Sequence, residues 1–156
     1  MAKRERPAVT LDKTAKAIIE QLQQDGRRSY AAMGKAVGLS EAAVRQRVQK
    51  LLEAGVVQIV AVTDPQQVGF SRQALIGVRS QGDMTVIAER LSELPEVDYV
   101  VLTAGSFDLL VEVVCEDDEH LLDLLSSRIR SIDGVLSTET FVYLKLHKQR
   151  YDWGTR

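Results

Sequence analysis

The sequence predicts an α+β protein of two modules, an N-terminal helix-turn-helix with a following strand and then a ferredoxin-like βαββαβ domain. Three observations predict it. Apolar residues recur at helical spacing in three segments before residue 55. A β-branched run, Val56 to Val62, follows them and closes at Asp64-Pro65. Beyond Ser71 the pattern reads strand, helix, strand, strand, helix, strand. The expected boundaries are 1–62 for the first module with its linking strand, 63–72 for a connector, 73–150 for the second domain and 151–156 for a tail.

In "LDKTAKAIIEQLQQDGR", Leu11, Ala15, Ile18, Ile19 and Leu22 form one apolar stripe of a first helix. Asp25-Gly26 ends it, with Gly26 suited to a left-handed position. Ser29 is the expected N-cap of a second helix that turns Met33 and Val37 inward. "VGLS" then supplies a Gly38 turn, a Leu39 anchor and a Ser40 cap, the elements of a helix-turn-helix. On the third helix, about 100° per residue places Val44, Val48, Leu51 and Leu52 on one side. Ala42, Ala43, Gln46 and Lys50 fall opposite, flanked by Arg45 and Arg47.

Small residues at a helix start let its backbone approach base edges. A Gln can pair with an adenine edge, and arginines hold phosphates or reach guanine. The candidate DNA-binding residues are Arg27, Ser29, Tyr30, Ser40, Ala42, Ala43, Arg45, Gln46, Arg47, Gln49 and Lys50. Taken alone, such a face is also what a solvated helix carries; the preceding turn is what favours DNA. Gly55 ends this helix, and Val56–Val62 reads as a strand acting as wing or link. Lys3, Arg4 and Arg6 form a basic arm suited to phosphate contacts.

In the second domain the expected strands are "RQALIGVRS", "VDYVVLTA", "FDLLVEVV" and "VLSTETFVYLKL". The helices are "MTVIAERLSEL" and "EHLLDLLSSRIRSI", the second through Leu121, Leu122, Leu125 and Ile129. "LSELPEV" and "IRSIDGV" echo one another, as two βαβ halves would. In the last strand Thr138, Thr140, Val142, Leu144 and Leu146 share one side, with Phe141 and Tyr143 on the other. Both faces are partly apolar, so the face without helices is expected to meet a second subunit. A twofold dimer would match a palindromic operator.

Composition limits the remaining possibilities. The chain has 156 residues, 45% of them hydrophobic, enough for a folded core of one or two domains. Residues 1–60 hold 11 Lys and Arg against 6 Asp and Glu, whereas the remainder holds 9 against 16. A basic front facing a polyanion and an acidic back suit two modules with different partners. The single cysteine, Cys115, excludes an internal disulfide and fits a reducing cytoplasm. Cys115 is expected to pack at a strand end, and it forms no metal-site spacing with His120 and His147. No metal or other cofactor is therefore expected. No apolar run approaches membrane-spanning length and no phosphate-binding or nucleophile motif occurs. The acidic run Glu116–Glu119 sits where a helix starts and reads as capping. Tyr151 and Trp153 in the tail are expected either to dock on a neighbouring subunit or to lie exposed.

With these blocks in order, the chain resembles the Lrp/AsnC family of leucine-responsive, feast/famine regulators over about Leu11 to Lys148. "VGLSEAAVRQRVQKLLEAGVV", "PEVDYVVLTAGSFDLLVEV" and "GVLSTETFVYL" carry the resemblance. It implies a winged helix-turn-helix joined to a sensing domain, control of transcription, and dimers that assemble into tetramers or octamers. It also implies an effector, usually an amino acid, held between subunits near "AGSFD". Gly105, Ser106, Phe107 and Asp108 match that motif, and Thr138 and Thr140 of "STET" lie in the region that completes the pocket. The residues agree: loop amides hold a carboxylate, Asp108 pairs with an ammonium group and the threonines add neutral bonds. A Gly-Ser between strands is equally what a hairpin requires. The family's operator preferences do not transfer, because Ala42, Ala43 and Gln46 occupy the variable reading surface. "QIVAV" stands where many relatives have Gly and an aromatic.

An effector-responsive transcription factor on double-stranded DNA, not an enzyme, is thus the expected function. Two alternatives use the same scaffold: a sirohaem-decarboxylase-like subunit and an architectural DNA-compacting protein. The first needs His or Arg residues lining a large cavity, and neither histidine falls near the pocket loop.

Overall fold

The computed structural model describes residues 11–156 in two compact units, residues 11–62 with 148–156, and residues 63–147. The basic arm Lys3, Arg4 and Arg6 lies outside the described residues.

The first unit contains α1 (Lys13–Gln24), α2 (Tyr30–Val37) and α3 (Glu41–Glu53). Each starts at a side chain that satisfies an amide left open by helix geometry. Asp12 accepts from Ala15 N at 2.6 Å, and Ser29 and Ser40 accept from Ala32 N and Ala43 N, both at 3.2 Å. Ile18, Leu22, Met33, Val44 and Val48 form the core, with Tyr30, Val37, Leu39 and Val57 packed against it. Full burial of such side chains contributes roughly 1.5–3 kcal/mol each. Gly38 ends α2 at φ 71° and Gly55 follows α3 at φ 67°, the left-handed conformation that costs glycine least.

Three expectations are corrected here. Gly26 does not take a left-handed conformation: Asp25 caps α1 in extended backbone and its side chain accepts from Arg27 N, which turns the chain instead. Leu52 is exposed, because Val44, Val48 and Leu51 already fill the side of α3 that meets the core. Val56–Val62 is not a strand, and no wing forms among the described residues. The run has the composition of a strand but no neighbour to complete a ladder, and Val60 stays 70% exposed. Residues 148–156 return to this unit, where Gly154 N donates to Gln23 Oε1 and Thr155 Oγ1 to Glu20 Oε1. Trp153 remains 80% exposed, in edge contact with Tyr151.

The second unit is a four-stranded antiparallel sheet in the order β2-β3-β1-β4. The strands are β1 (Arg72–Ser80), β2 (Val97–Leu102), β3 (Leu109–Cys115) and β4 (Val135–Val142). Helix α4 (Met84–Ser92) joins β1 to β2, and α5 (Asp118–Asp123) follows β3. This is the expected βαββαβ arrangement. Strand periodicity sends Ala74, Ile76, Val78, Leu109, Val111, Val113 and Cys115 to the helix-covered face, against Ile87, Leu91, Leu121, Leu124 and Ile129. Asp117 caps α5 by accepting from His120 N at 2.8 Å, as its acidic start implied.

The last helix departs from the expected single stripe. Beyond α5 the chain continues as a π-helical run, Leu124–Ile129, whose wider turn buries these two residues five apart. Leu122, expected inside, is exposed. β4 also stops at Val142 instead of running to Leu146, because β1 begins at Arg72 and Tyr143 N to Gln73 O is the final bond between them. Leu144 is consequently 93% exposed.

Beneath the helices, Glu96 Oε1 accepts from His120 Nε2 at 3.1 Å and from Arg128 Nη1 at 2.5 Å. Burial alone would raise its carboxyl, but the bonds from His120, its own backbone and Arg128 hold it below the ordinary value of 4.5. Asp12 and Asp118 are likewise lowered, Asp12 first by the Ala15 amide and Asp118 by Arg72. Carboxyls more acidic when folded stabilise the protein above their unfolded values, and that contribution fades as pH falls through the folded ones. Thermal melts should therefore drop steadily below about pH 4.5, and Glu96→Gln should flatten that decline. An unchanged acid limb in the variant would remove Glu96 from this account. The Cys115 thiol is pushed up to about 11, mainly by burial, which suits packing and not reactivity.

Candidate nucleic-acid interface and sensing loop

The exposed side of α3 follows from how its other side is used. Val44, Val48 and Leu51 are buried, so Ala42, Arg45, Gln46, Gln49 and Lys50 face outward, with Ala43 and Arg47 partly covered. Gln46 carries no side-chain bond among the described residues, whereas both neighbouring arginines are held. Arg45 donates to Glu41 Oε1 at 2.8 Å and lies 5.1 Å from the Tyr30 ring centre. Arg47 Nη1 donates to Asp12 Oδ2 at 2.8 Å, across 35 positions of chain. Gln49 donates to Glu53 at 3.0 Å. Arg27 is exposed in the turn after α1. The Ser29 and Ser40 hydroxyls are committed to capping, which fixes α2 and α3 before any DNA arrives.

Two residues essential to this geometry were not among the sequence candidates. Asp12 serves α1 and Arg47 together. Gly34 lies where α2 meets the turn: Leu39 N donates to Gly34 O at 2.9 Å, and a Cβ on Gly34 would stand 2.5 Å from Leu39 O. The sequence signal for Gly34 is a glycine inside a helical pattern, which signals close approach.

In the second unit the loop between β2 and β3 is held from several sides. Thr103 N donates to Asp108 O at 2.8 Å, Thr103 Oγ1 to Phe107 O at 2.6 Å, and Asp108 N to Val78 O at 2.9 Å. Arg79 Nε donates to Ser106 O at 3.0 Å, with its guanidinium 5.5 Å from the Phe107 ring centre. Phe107 lies over Gly77, where a Cβ would come within 2.7 Å of three ring carbons, and meets Phe141 edge-on at 6.3 Å. Gly77 in a strand interior was a readable signal of that approach. Thus the loop carbonyls at 106, 107 and 108 are bonded, while the amides of Ala104, Gly105, Ser106 and Phe107 have no acceptor among the described residues.

The expected effector residues do not all converge. Gly105 and Ser106 are exposed at the loop tip, with Phe107 and Asp108 half-buried. Asp108 Oδ2 is already bonded by Ser80 N at 2.6 Å and Ser80 Oγ at 3.3 Å, so an ammonium partner is left with Oδ1. Thr138 and Thr140 pair with Val78 and Ile76, residues of the helix-covered face, and Thr138 Oγ1 accepts from Arg130 Nε at 2.9 Å. Phe107 lies on the opposite face with Gly77 and Phe141. Within one chain the threonines and the aromatic part of the loop are therefore separated by strand periodicity. A groove of about 250 Å³ lies at the other end of the sheet, lined by Pro65, Val68, Phe70, Pro95, Asp98 and Val114, among others. Glu96 also borders it, but its one unbonded oxygen, Oε2, is buried.

Two recognised domains match the chain. Residues 11–52 match the AsnC-type helix-turn-helix domain, and residues 73–153 match the Lrp/AsnC ligand binding domain. The HTH-type transcriptional regulator FL11 of Pyrococcus horikoshii is 36% identical over 143 residues, 90% of this chain and 94% of FL11. The solved structure of Escherichia coli AsnC superposes with a TM-score of 0.78 at 27% identity, covering 92% of this chain and 98% of AsnC. A transcriptional regulator of Neisseria meningitidis in complex with L-Met superposes at 0.79 and 27% identity, covering 92% and 96%. The chain belongs to the Lrp/AsnC family of transcriptional regulators.

Proposed function

We propose that this regulator sets α3 into the major groove of an operator, with Ala42, Ala43 and Gln46 toward base edges and Arg45, Arg47, Lys50 and Arg27 toward phosphates. The observation that carries the reading is an exposed Gln46, its side chain without a bond among the described residues, between two arginines on a helix anchored from behind by Val44, Val48 and Leu51. A second copy covers the sheet face without helices, which presents Tyr99 and Phe141. That pairing supplies the twofold symmetry of a palindromic site. Tetramers or octamers would extend it, and the cytoplasm is the compartment where it would meet DNA.

The effector of this reading is an α-amino acid held at the loop 103–108 and completed by another subunit. Four consecutive amides without acceptors suit its carboxylate, and Asp108 Oδ1 suits its ammonium group. The L-Met bound by the Neisseria relative is in keeping with that chemistry. Thr138 and Thr140 would then serve the pocket from a neighbouring copy, not from the same chain.

Gel shifts on the chain's own promoter region test the DNA half. Gln46→Ala and Arg47→Ala should each weaken binding by about 1–3 kcal/mol, with melting unchanged in Gln46→Ala and lowered by no more than an exposed ion pair contributes, about 0–1 kcal/mol, in Arg47→Ala. Wild-type binding by both variants would defeat the reading. A thermal-shift screen of the common amino acids tests the effector half, since a ligand bound only to the native state raises the melting temperature.

A further inference from the structure

The ion pair between Arg47 and Asp12 differs from the other contacts of the reading helix. Arg45–Glu41 is an ordinary i,i+4 helix pair, and Gln49–Glu53 has the same spacing. Arg47–Asp12 instead joins the start of α1 to the middle of α3. Asp12 is itself fixed, because its other oxygen accepts from Ala15 N at 2.6 Å. Arg47 flanks the same face as Gln46, and a DNA phosphate would offer it an acceptor oxygen in place of Asp12 Oδ2.

We propose that Asp12 is a positioning residue of the DNA-free protein, occupying Arg47 so that this arginine reaches phosphate only by exchanging one carboxylate for it. The proposal rests on α3 being the DNA-reading helix. In the complex the abandoned Asp12 carboxylate regains a counterion, so one fewer ion is released on binding than Arg47 alone would release. Asp12 therefore holds down affinity for any phosphate backbone. Base contacts, which do not depend on this exchange, are left to decide between sequences.

Asp12→Asn separates this role from helix capping, because asparagine caps α1 as well as aspartate does. The experiment is a double-mutant cycle on the full chain with Asp12→Asn and Arg47→Ala. The readouts are binding of a random-sequence duplex by fluorescence anisotropy over a salt series, and thermal melting. Asp12→Asn should bind about two- to five-fold tighter, the range an exposed ion pair implies. Its log affinity against log salt should be steeper by about 0.9. In the Arg47→Ala background the same change should give neither effect. A gain that persists without Arg47 would mean that Asp12 acts only through the general field, and no gain in either background would mean that it does not compete; both overturn the proposal. If Arg47→Ala leaves DNA binding intact, Arg47 meets no phosphate and the proposal falls; the reading of α3 fails with it only if Gln46→Ala also binds a promoter duplex as the wild type does, which distinguishes the two failures.

Discussion

Replacing Gly34 with valine should abolish DNA binding while the sheet of the second unit stays folded. The expected cause is local. A Cβ at this position would stand 2.5 Å from Leu39 O, a backbone atom that no rotamer change can move aside. Relief requires the turn after α2 to open, which breaks the 2.9 Å bond from Leu39 N to Gly34 O and shifts the Ser40 cap of α3. Overpacking typically costs about 1–3 kcal/mol, and a lost hydrogen bond about 0.5–1.5 kcal/mol more. A module this small has little stability in reserve. Gly34→Ala should show the same defect, because the first carbon makes the clash and valine only enlarges it. Anisotropy titrations with a promoter duplex, beside circular dichroism of the melt, check the result. Wild-type affinity in Gly34→Val would mean that the turn adapts, and that α3 does not depend on this crossing for its placement.

What could be read from the sequence follows the range of the forces involved. Caps and periodicity are local, so Ser29, Ser40, Gly38 and most of the buried sides of α1 and α3 were legible, Leu52 being the residue that periodicity misplaced. The alternation of β1 and β3 was equally plain, since every second residue of each enters one core. Partners in space were not legible. Val56–Val62 has strand composition, yet a strand also needs a neighbour, and composition says nothing of that. Asp12 was not among the residues singled out, and nothing local shows that Arg47 would reach it. The π-helical run escaped for a related reason: the same leucines satisfy a regular helix, and only the sheet beneath selects Leu124 and Ile129. At the loop 103–108 the motif residues were recognisable, but the faces on which Phe107 and the two threonines lie emerge only from the register of β4 on β1.

Gly134→Ala is expected to be the most damaging single-methyl change in the sensing unit. Gly134 has φ 93°, a conformation that L side chains rarely adopt, and a Cβ there would lie 2.8 Å from Gln81 O and 2.9 Å from Ile87 Cδ1. Its carbonyl also accepts from Gln81 N at 2.8 Å, so the turn is pinned to the end of β1 from both sides. Val135 begins β4 immediately afterwards, opposite Ser80 and beside the register shift at Arg79/Ser80. Pushing this turn outward would slide β4 along β1, and with it Thr138, Glu139, Thr140 and Phe141. Backbone strain of more than about 0.4–1 kcal/mol and overpacking of about 1–3 kcal/mol combine here. For a chain of this size the melting temperature should fall by roughly 4–12 °C. Asparagine tolerates positive φ better than alanine does. If conformational strain alone mattered, Gly134→Asn would recover most of the loss; because the contact with Gln81 O is the larger obstacle, it should recover little. Differential scanning calorimetry of the two variants decides between these causes, and near-native melting of Gly134→Asn would assign the cost to backbone conformation instead of close approach.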